Sequence, residues 1–190
     1  MNKSHLIVGD ARTKEVKQWE KWFGVIPHLR DRFYRSPYEL DPFYWNETAS
    51  VACLGNAATM ADFVALTEYV LPKRQAARGR PFRRGRCDLW VANVDQAYSW
   101  VFEFKQHFAN PDIRQSTFES QLQKAHDDAK SVDRYEGDRR FGGLILAPKK
   151  FDHLEEEEID YYDELCSAAD IAYRVSGALG PVWLAFAKVD

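Results

Sequence analysis

Cys87-Asp88-Leu89-Trp90-Val91-Ala92-Asn93-Val94 is followed by Asp95-Gln96-Ala97 and then by Tyr98-Ser99-Trp100-Val101-Phe102-Glu103-Phe104-Lys105. Two apolar runs rich in Val, Trp and Phe flank a short polar step, which predicts a β-hairpin. Strand residues two apart share a face, so Glu103 and Lys105 point the same way. With the turn centred between Asp95 and Gln96, facing residues have numbers that sum to 191, and Asp88 lies across from Glu103. Two carboxylates facing each other at about 4 Å repel by roughly 4 kcal/mol at an effective dielectric near 20. A chain that keeps such a pair needs a cation beside it. Lys105 offers one positive charge nearby, and a divalent metal offers more. Oxygen ligands suit Mg²⁺ or Mn²⁺ rather than zinc.

The flanks of the hairpin extend the pattern. Upstream, Val51, Leu54, Ala58, Ala61, Ala65 and Tyr69 recur at helical spacing and predict a helix from Asn46 or Asp41 to Leu71, with Gly55-Asn56 as a break and Pro72 as its end. Downstream, Phe118, Leu122, Ala125, Ala129 and Val132 stripe a helix over 115–133, and Phe141–Ala147 reads as a short buried strand closed by Pro148. A helix over 159–175 and a strand over 181–189 complete the chain. At the other end, Val16, Trp19, Trp22 and Phe23 predict a helix over 11–23 with Asp10 as cap and Gly24 as stop. Residues 25–45, rich in Pro and aromatics, read as an ordered covering segment. The expected organisation is an α/β chain with a helical and aromatic extension over 1–45 and the main domain over 46–190.

Gly85-Arg86-Cys87-Asp88-Leu89-Trp90-Val91, then Val101-Phe102-Glu103-Phe104-Lys105, resembles the PD-(D/E)XK nuclease superfamily, the restriction-endonuclease-like fold. The resemblance implies a mixed sheet in an αβββαβ core, which matches the element order read over 46–147. It also implies metal-dependent phosphodiester hydrolysis. Asp88 and Glu103 would be metal ligands, Phe104 would lend its carbonyl, and Lys105 would be the catalytic lysine. Cys87 stands where the family name has proline. The Gln-x-x-x-Tyr signature of one branch is absent, since Gln121 is followed by Ala125 at the tyrosine position. Three (D/E)-x-K triplets occur in the chain, and two of them, at Glu15 and Asp128, lie in helical patterns; only the one at Glu103 has an upstream strand aspartate in register. Many members add an acid from the first core helix. The strand before residue 87 must finish at the site end, so the helix feeding it starts there; this favours Glu47 over Glu68 as the additional catalytic acid and metal ligand.

Charge is polarised along the chain. Residues 1–95 hold 15 Lys+Arg and 11 Asp+Glu, whereas 96–190 hold 11 and 18, within an overall net charge of −3. Residues 73–86 concentrate the basic share, with seven Lys or Arg and no acid. Running directly into Asp88, this arm is expected to place Arg78, Arg80, Arg83, Arg84 and Arg86 on nucleic-acid phosphates. The expected partner is therefore nucleic acid, DNA in the first instance, with a homodimer or a larger assembly as further candidates; a catalytically inactive relative that only binds DNA or protein is the alternative. Cys53, Cys87 and Cys166 are unpaired by spacing and read as core thiols. No apolar run reaches membrane-helix length and the N-terminus lacks a signal-peptide core, so the expected setting is cytoplasmic. His107, two residues beyond Lys105, is the one histidine expected within reach of substrate, and Glu155–Glu158 reads as a helix start or solvated face.

Overall fold

A computed structural model describes residues 3–37, 39–74, 82–149 and 154–189. In chain order the elements are β1 (Ser4–Val8), α1 (Lys14–Tyr34), α2 (Glu47–Met60), β2 (Val64–Arg74), β3 (Phe82–Asn93), β4 (Tyr98–Ala109), α3 (Gln115–Ser131), β5 (Arg139–Pro148), α4 (Glu156–Leu165), β6 (Ile171–Val175) and β7 (Val182–Val189). The strands form one seven-stranded sheet in the order β1-β6-β7-β5-β4-β3-β2. All neighbours are antiparallel except β4 and β5, which run parallel across the α3 connection. Among the described residues this is an α/β fold of four α-helices and a mixed sheet. Helices α1 and α2 pack on one face, against Leu89, Val91, Phe102 and Phe104. Helices α3 and α4 cover the other, against Leu144, Leu146 and Trp183.

The hairpin is the frame of the fold. Leu89↔Phe102, Trp90↔Val101 and Val91↔Trp100 pair in the expected register, and the turn spans Val94–Ala97, with Ala97 in the left-handed region at φ 47. On the α3 side, Gly142 faces Glu103 across the β4–β5 ladder. A Cβ on Gly142 would lie 2.2 Å from the His126 amide nitrogen. The missing side chain lets α3 rest directly on the sheet, which brings Asp128 down to the level of Lys105.

Three helices differ from the sequence expectation, and β1 is not anticipated by it. Helix α1 starts after Thr13, whose hydroxyl caps the Val16 amide, and runs through Gly24 and Pro27 to Tyr34. Gly and Pro disfavour a helix interior by about 1 and 3 kcal/mol. Burial of Trp19, Trp22, Phe23, Ile26 and Leu29 outweighs this, at about 1.5–3 kcal/mol per large side chain. The second helix stops at Met60 rather than Leu71; Val64, Thr67, Tyr69 and Val70 belong to β2, where β-branched and aromatic residues suit the pleat. The helix expected over 159–175 ends at Leu165, because Ile171–Val175 is drawn into the sheet between β1 and β7. Among the described residues no helix is long and apolar enough to cross a membrane.

Candidate active site

The β3–β4 ladder ends at Leu89↔Phe102, while β4 continues to Ala109 beside β5. Beyond that point the β4 amides on the β3 side lose their strand partner. Alternate residues present their N–H to the same edge, so Phe104 and Gln106 are both affected. Two carboxylates replace the missing strand. Asp88 Oδ2 accepts the Phe104 N–H at 2.6 Å, and Glu47 Oε2 accepts the Gln106 N–H at 2.9 Å. An extended residue sends its N–H and C=O out of the same edge, so the Phe104 carbonyl faces the same gap. The site therefore lies where two strands part, and the acids that line it also complete the backbone hydrogen bonding there.

Glu47 arrives by helix placement. Asn46 caps α2 through its side-chain oxygen on the Ala49 amide, which puts Glu47 in the first turn. Gln106 is held from three sides: its own N–H by Glu47, its side-chain oxygen by Ser50, and its side-chain nitrogen by the Phe43 carbonyl. Glu47 therefore lies at the end of β4 where Asp88 and Lys105 act on it. Glu68 is also close, against expectation. It is a strand residue across from Asp88, between the pairs Thr67↔Leu89 and Tyr69↔Cys87. It has φ 53, a left-handed conformation that costs an L-residue about 1–2 kcal/mol. Its carboxylate pairs with Arg86 at 3.2 Å and its charge acts on Asp88.

Lys105, expected to offer one positive charge beside Asp88 and Glu103, makes its ion pair elsewhere. Lys105 Nζ pairs with Asp128 Oδ2 at 2.6 Å. The ammonium on Glu103 is that of Lys73, at the far end of β2, with Nζ 2.7 Å from Oε2. Sequence reading assigned Lys73 only to the basic arm; the signal that could have found it is the β2–β3 register, which brings Lys73 opposite Arg83, within side-chain reach of the gap. Asp128 begins a (D/E)-x-K triplet in a helical pattern, and its pairing with Lys105 depends on the approach of α3 at Gly142.

Burial dominates the electrostatics. It pushes the carboxyls of Asp88 and Glu47 above their ordinary values, against the opposing pull of the backbone amides and Lys105. Glu103, 3% exposed, is pushed up to about 7 by burial first and by the Asp88 charge second, with Lys73 opposing. For Lys105, burial disfavours the ammonium, but Asp128, Glu47 and Asp88 outweigh it and hold its pKa above the ordinary lysine value. Four carboxylates (Glu47, Asp88, Glu103 and Asp128) and two ammonium groups (Lys73 and Lys105) act on one another, leaving two net negative charges when all are ionised.

A divalent cation fits this set. Glu103 Oε1 is buried with no hydrogen-bond partner, the ligand atoms are all oxygen, and the set carries two net negative charges once Glu103 is ionised. Among the described residues no three His, Cys, Asp or Glu converge as a ready-made cage. Asp88, Glu103 and the Phe104 carbonyl would supply part of the ligation and water the rest, which is the habit of Mg²⁺. The Cys87 thiol, buried beside Asp88, is pushed up to about 12 by burial and by Glu103, so it is neither a nucleophile nor a metal ligand at neutral pH. Burial and the charges of Lys149 and Lys124 lower the His107 pKa, so the ring stays neutral.

Of the arginine arm, Arg78 and Arg80 lie outside the described residues, as does the side chain of Arg83. Arg84 is exposed, and Arg86 is exposed and paired with Glu68. The arm is carried on a two-stranded ribbon: β2 and β3 remain paired from Leu71↔Gly85 to Arg74↔Phe82, beyond the end of the β3–β4 ladder. The chain matches no protein-family model, no curated protein and no solved structure.

Proposed function

We propose that the chain is a metal-dependent nuclease that hydrolyses phosphodiester bonds in DNA, built on a restriction-endonuclease-like αβββαβ core formed by α2 to β5. The observation that carries this reading is that half-buried Asp88 and buried Glu103 act on each other where the β3–β4 ladder ends, with the Lys105 charge acting on Asp88 and one Glu103 oxygen left without a partner. A carboxylate oxygen buried without a donor is costly, and a bound cation would offset that cost.

Mg²⁺ or Mn²⁺ held by Asp88, Glu103 and the Phe104 carbonyl, with Glu47 as a further ligand, would supply an activated water and stabilise charge building on the phosphoryl oxygens. The chain's own residues do the positioning. Asp88 and Glu47 fix β4 by taking its free amides. Lys105 acts as a cation: held protonated by Asp128, it orients the attacking water and balances phosphate charge rather than removing a proton. The basic ribbon would meet backbone phosphates, and a two-stranded ribbon is a shape that the major groove admits.

Cleavage of plasmid and single-stranded DNA with Mg²⁺ or Mn²⁺ tests the reading. The wild type should cut, and Asp88→Ala, Glu103→Ala and Lys105→Ala should each lose cleavage while keeping their circular dichroism spectrum. Wild-type rates in all three variants would remove the site from the reaction. DNA binding without cleavage under every metal condition would favour a binding module instead.

A further inference from the structure

The ion pair between Lys73 and Glu103 is placed with unusual care for two residues 30 apart in sequence. The Lys73 side chain is 11% exposed and that of Glu103 is 4% exposed. Its backbone is fixed from two sides, by Arg83 across the β2–β3 ladder and by a lone bridge to Val132 just after α3. Its methylenes run over Gly85, where a Cβ would sit 2.7 Å from Cδ and 3.0 Å from Cγ. Gly85 thus opens the trough through which Lys73 reaches the gap. The ammonium takes Oε2 of Glu103 and leaves Oε1 bare. Its charge also acts on Asp88, so it serves both acids.

We propose that Lys73 is an internal counter-ion that competes with the divalent metal for Glu103. This rests on the reading of Asp88 and Glu103 as metal ligands. A lysine ammonium so close to the carboxylate neutralises it when no divalent ion is bound. A divalent ion on the same carboxylate meets a like charge within a few ångström, in surroundings where water screens poorly. Lys73 must therefore swing off Oε2, or weaken the ion's hold by staying. Its four-carbon stem has the freedom to move, and the basic ribbon beside it is where nucleic-acid phosphate would arrive to receive it. The device makes metal binding weak until substrate supplies an alternative partner for the lysine.

The test is Mn²⁺ alone, with no nucleic acid, titrated by electron paramagnetic resonance into the full-length chain at pH 8, together with the melting temperature with and without Mn²⁺. Lys73→Met, which keeps the length and removes the charge, should bind Mn²⁺ on the order of tenfold more tightly than the wild type. It should melt lower than wild type without the ion and gain more from adding it. Lys73→Arg, which keeps the charge, should bind as the wild type does. Gly85→Ala should tighten binding in the same direction by displacing the stem while leaving the charge in the chain, and it decides the matter if Lys73→Met does not fold. Equal or weaker Mn²⁺ affinity in folded Lys73→Met overturns the counter-ion role while leaving the metal site standing. If neither the wild type nor Lys73→Met binds Mn²⁺, the metal reading and the inference fall together.

Discussion

The Glu103 carboxyl concentrates the tension of the site. Burial and the neighbouring Asp88 charge push it up to about 7, against 4.5 for the free group. The folded state therefore holds this proton more tightly than the unfolded chain does. Between about 4.5 and 7 the unfolded state has the fewer bound protons, so Glu103 makes stability fall as pH rises through that window. The full effect of a shift this size is on the order of 3 kcal/mol, since each pKa unit corresponds to about 1.4 kcal/mol. The expectation is that urea unfolding free energies, measured from pH 4.5 to pH 8, fall with pH in the wild type. In Glu103→Gln, which cannot ionise, that part of the slope should vanish. An unchanged slope would assign the strain to another group. Added Mn²⁺ should flatten the wild-type slope in the same direction, because a bound cation favours the ionised carboxylate.

The parting of β3 from β4 is the event at the scale of elements that makes a site possible. A continuous ladder would have satisfied the Phe104 and Gln106 amides and left no gap for Asp88 and Glu47. Helix α2 contributes by ending its cap one residue before Glu47. Asn46→Ala should lower the unfolding free energy by about 1 kcal/mol, the usual worth of an N-cap. It should also speed hydrogen exchange at the Gln106 amide more than at Val101, since fraying of the first turn withdraws Glu47, whereas Asn46→Asp should preserve both. Equal exchange at Gln106 in the alanine variant would mean that Glu47 is held by something other than the helix start. Much of this arrangement is legible in sequence. The hairpin register follows from period-two patterning and one turn, and α3 and β5 follow from a helical stripe and an apolar run, whereas β2 is hidden inside a helical spacing. What sequence hides is contact at a distance. Lys73 meets Glu103 only because Gly85 lacks a side chain, and Asp128 meets Lys105 only because Gly142 does. The extra helical stretch assigned to Ala65 and Tyr69 shows the other limit, since residues of a strand can fall at helical spacing by chance and only pairing decides.

At the scale of the whole molecule, β1 and α1 share the sheet and the core with the elements after residue 45. Strand β1 forms one edge of the sheet by pairing with β6, and Trp19 meets Trp100, Phe102, Phe141 and Phe186, which come from three different strands. The far end of α1 is tied down by Arg30, fully buried, which pairs with Asp41 at 2.7 Å and also donates to the carbonyls of Val175 and Gly180. Gly177 makes room for the guanidinium, since a Cβ there would lie 2.2 Å from Arg30 Cζ. Asp41 in turn caps the short turn over Pro42–Tyr44, whose Phe43 carbonyl holds Gln106. A chain of contacts thus runs from α1 to the candidate site. Arg30→Met should destabilise the protein by about 3–5 kcal/mol, because it strands the Asp41 charge in the interior. The double variant Arg30→Met, Asp41→Leu should recover a substantial part of that loss, as paired removal leaves no lone charge. The same argument predicts that a chain beginning at residue 46 will not fold cooperatively, having lost the aromatic ridge of α1 and the edge strand together. Guanidinium titration followed by far-ultraviolet circular dichroism distinguishes the cases: a sharp transition in the shortened chain would show that 46–190 is self-sufficient, and a double variant no better than Arg30→Met would show that the loss comes from the two carbonyls rather than from the charge on Asp41.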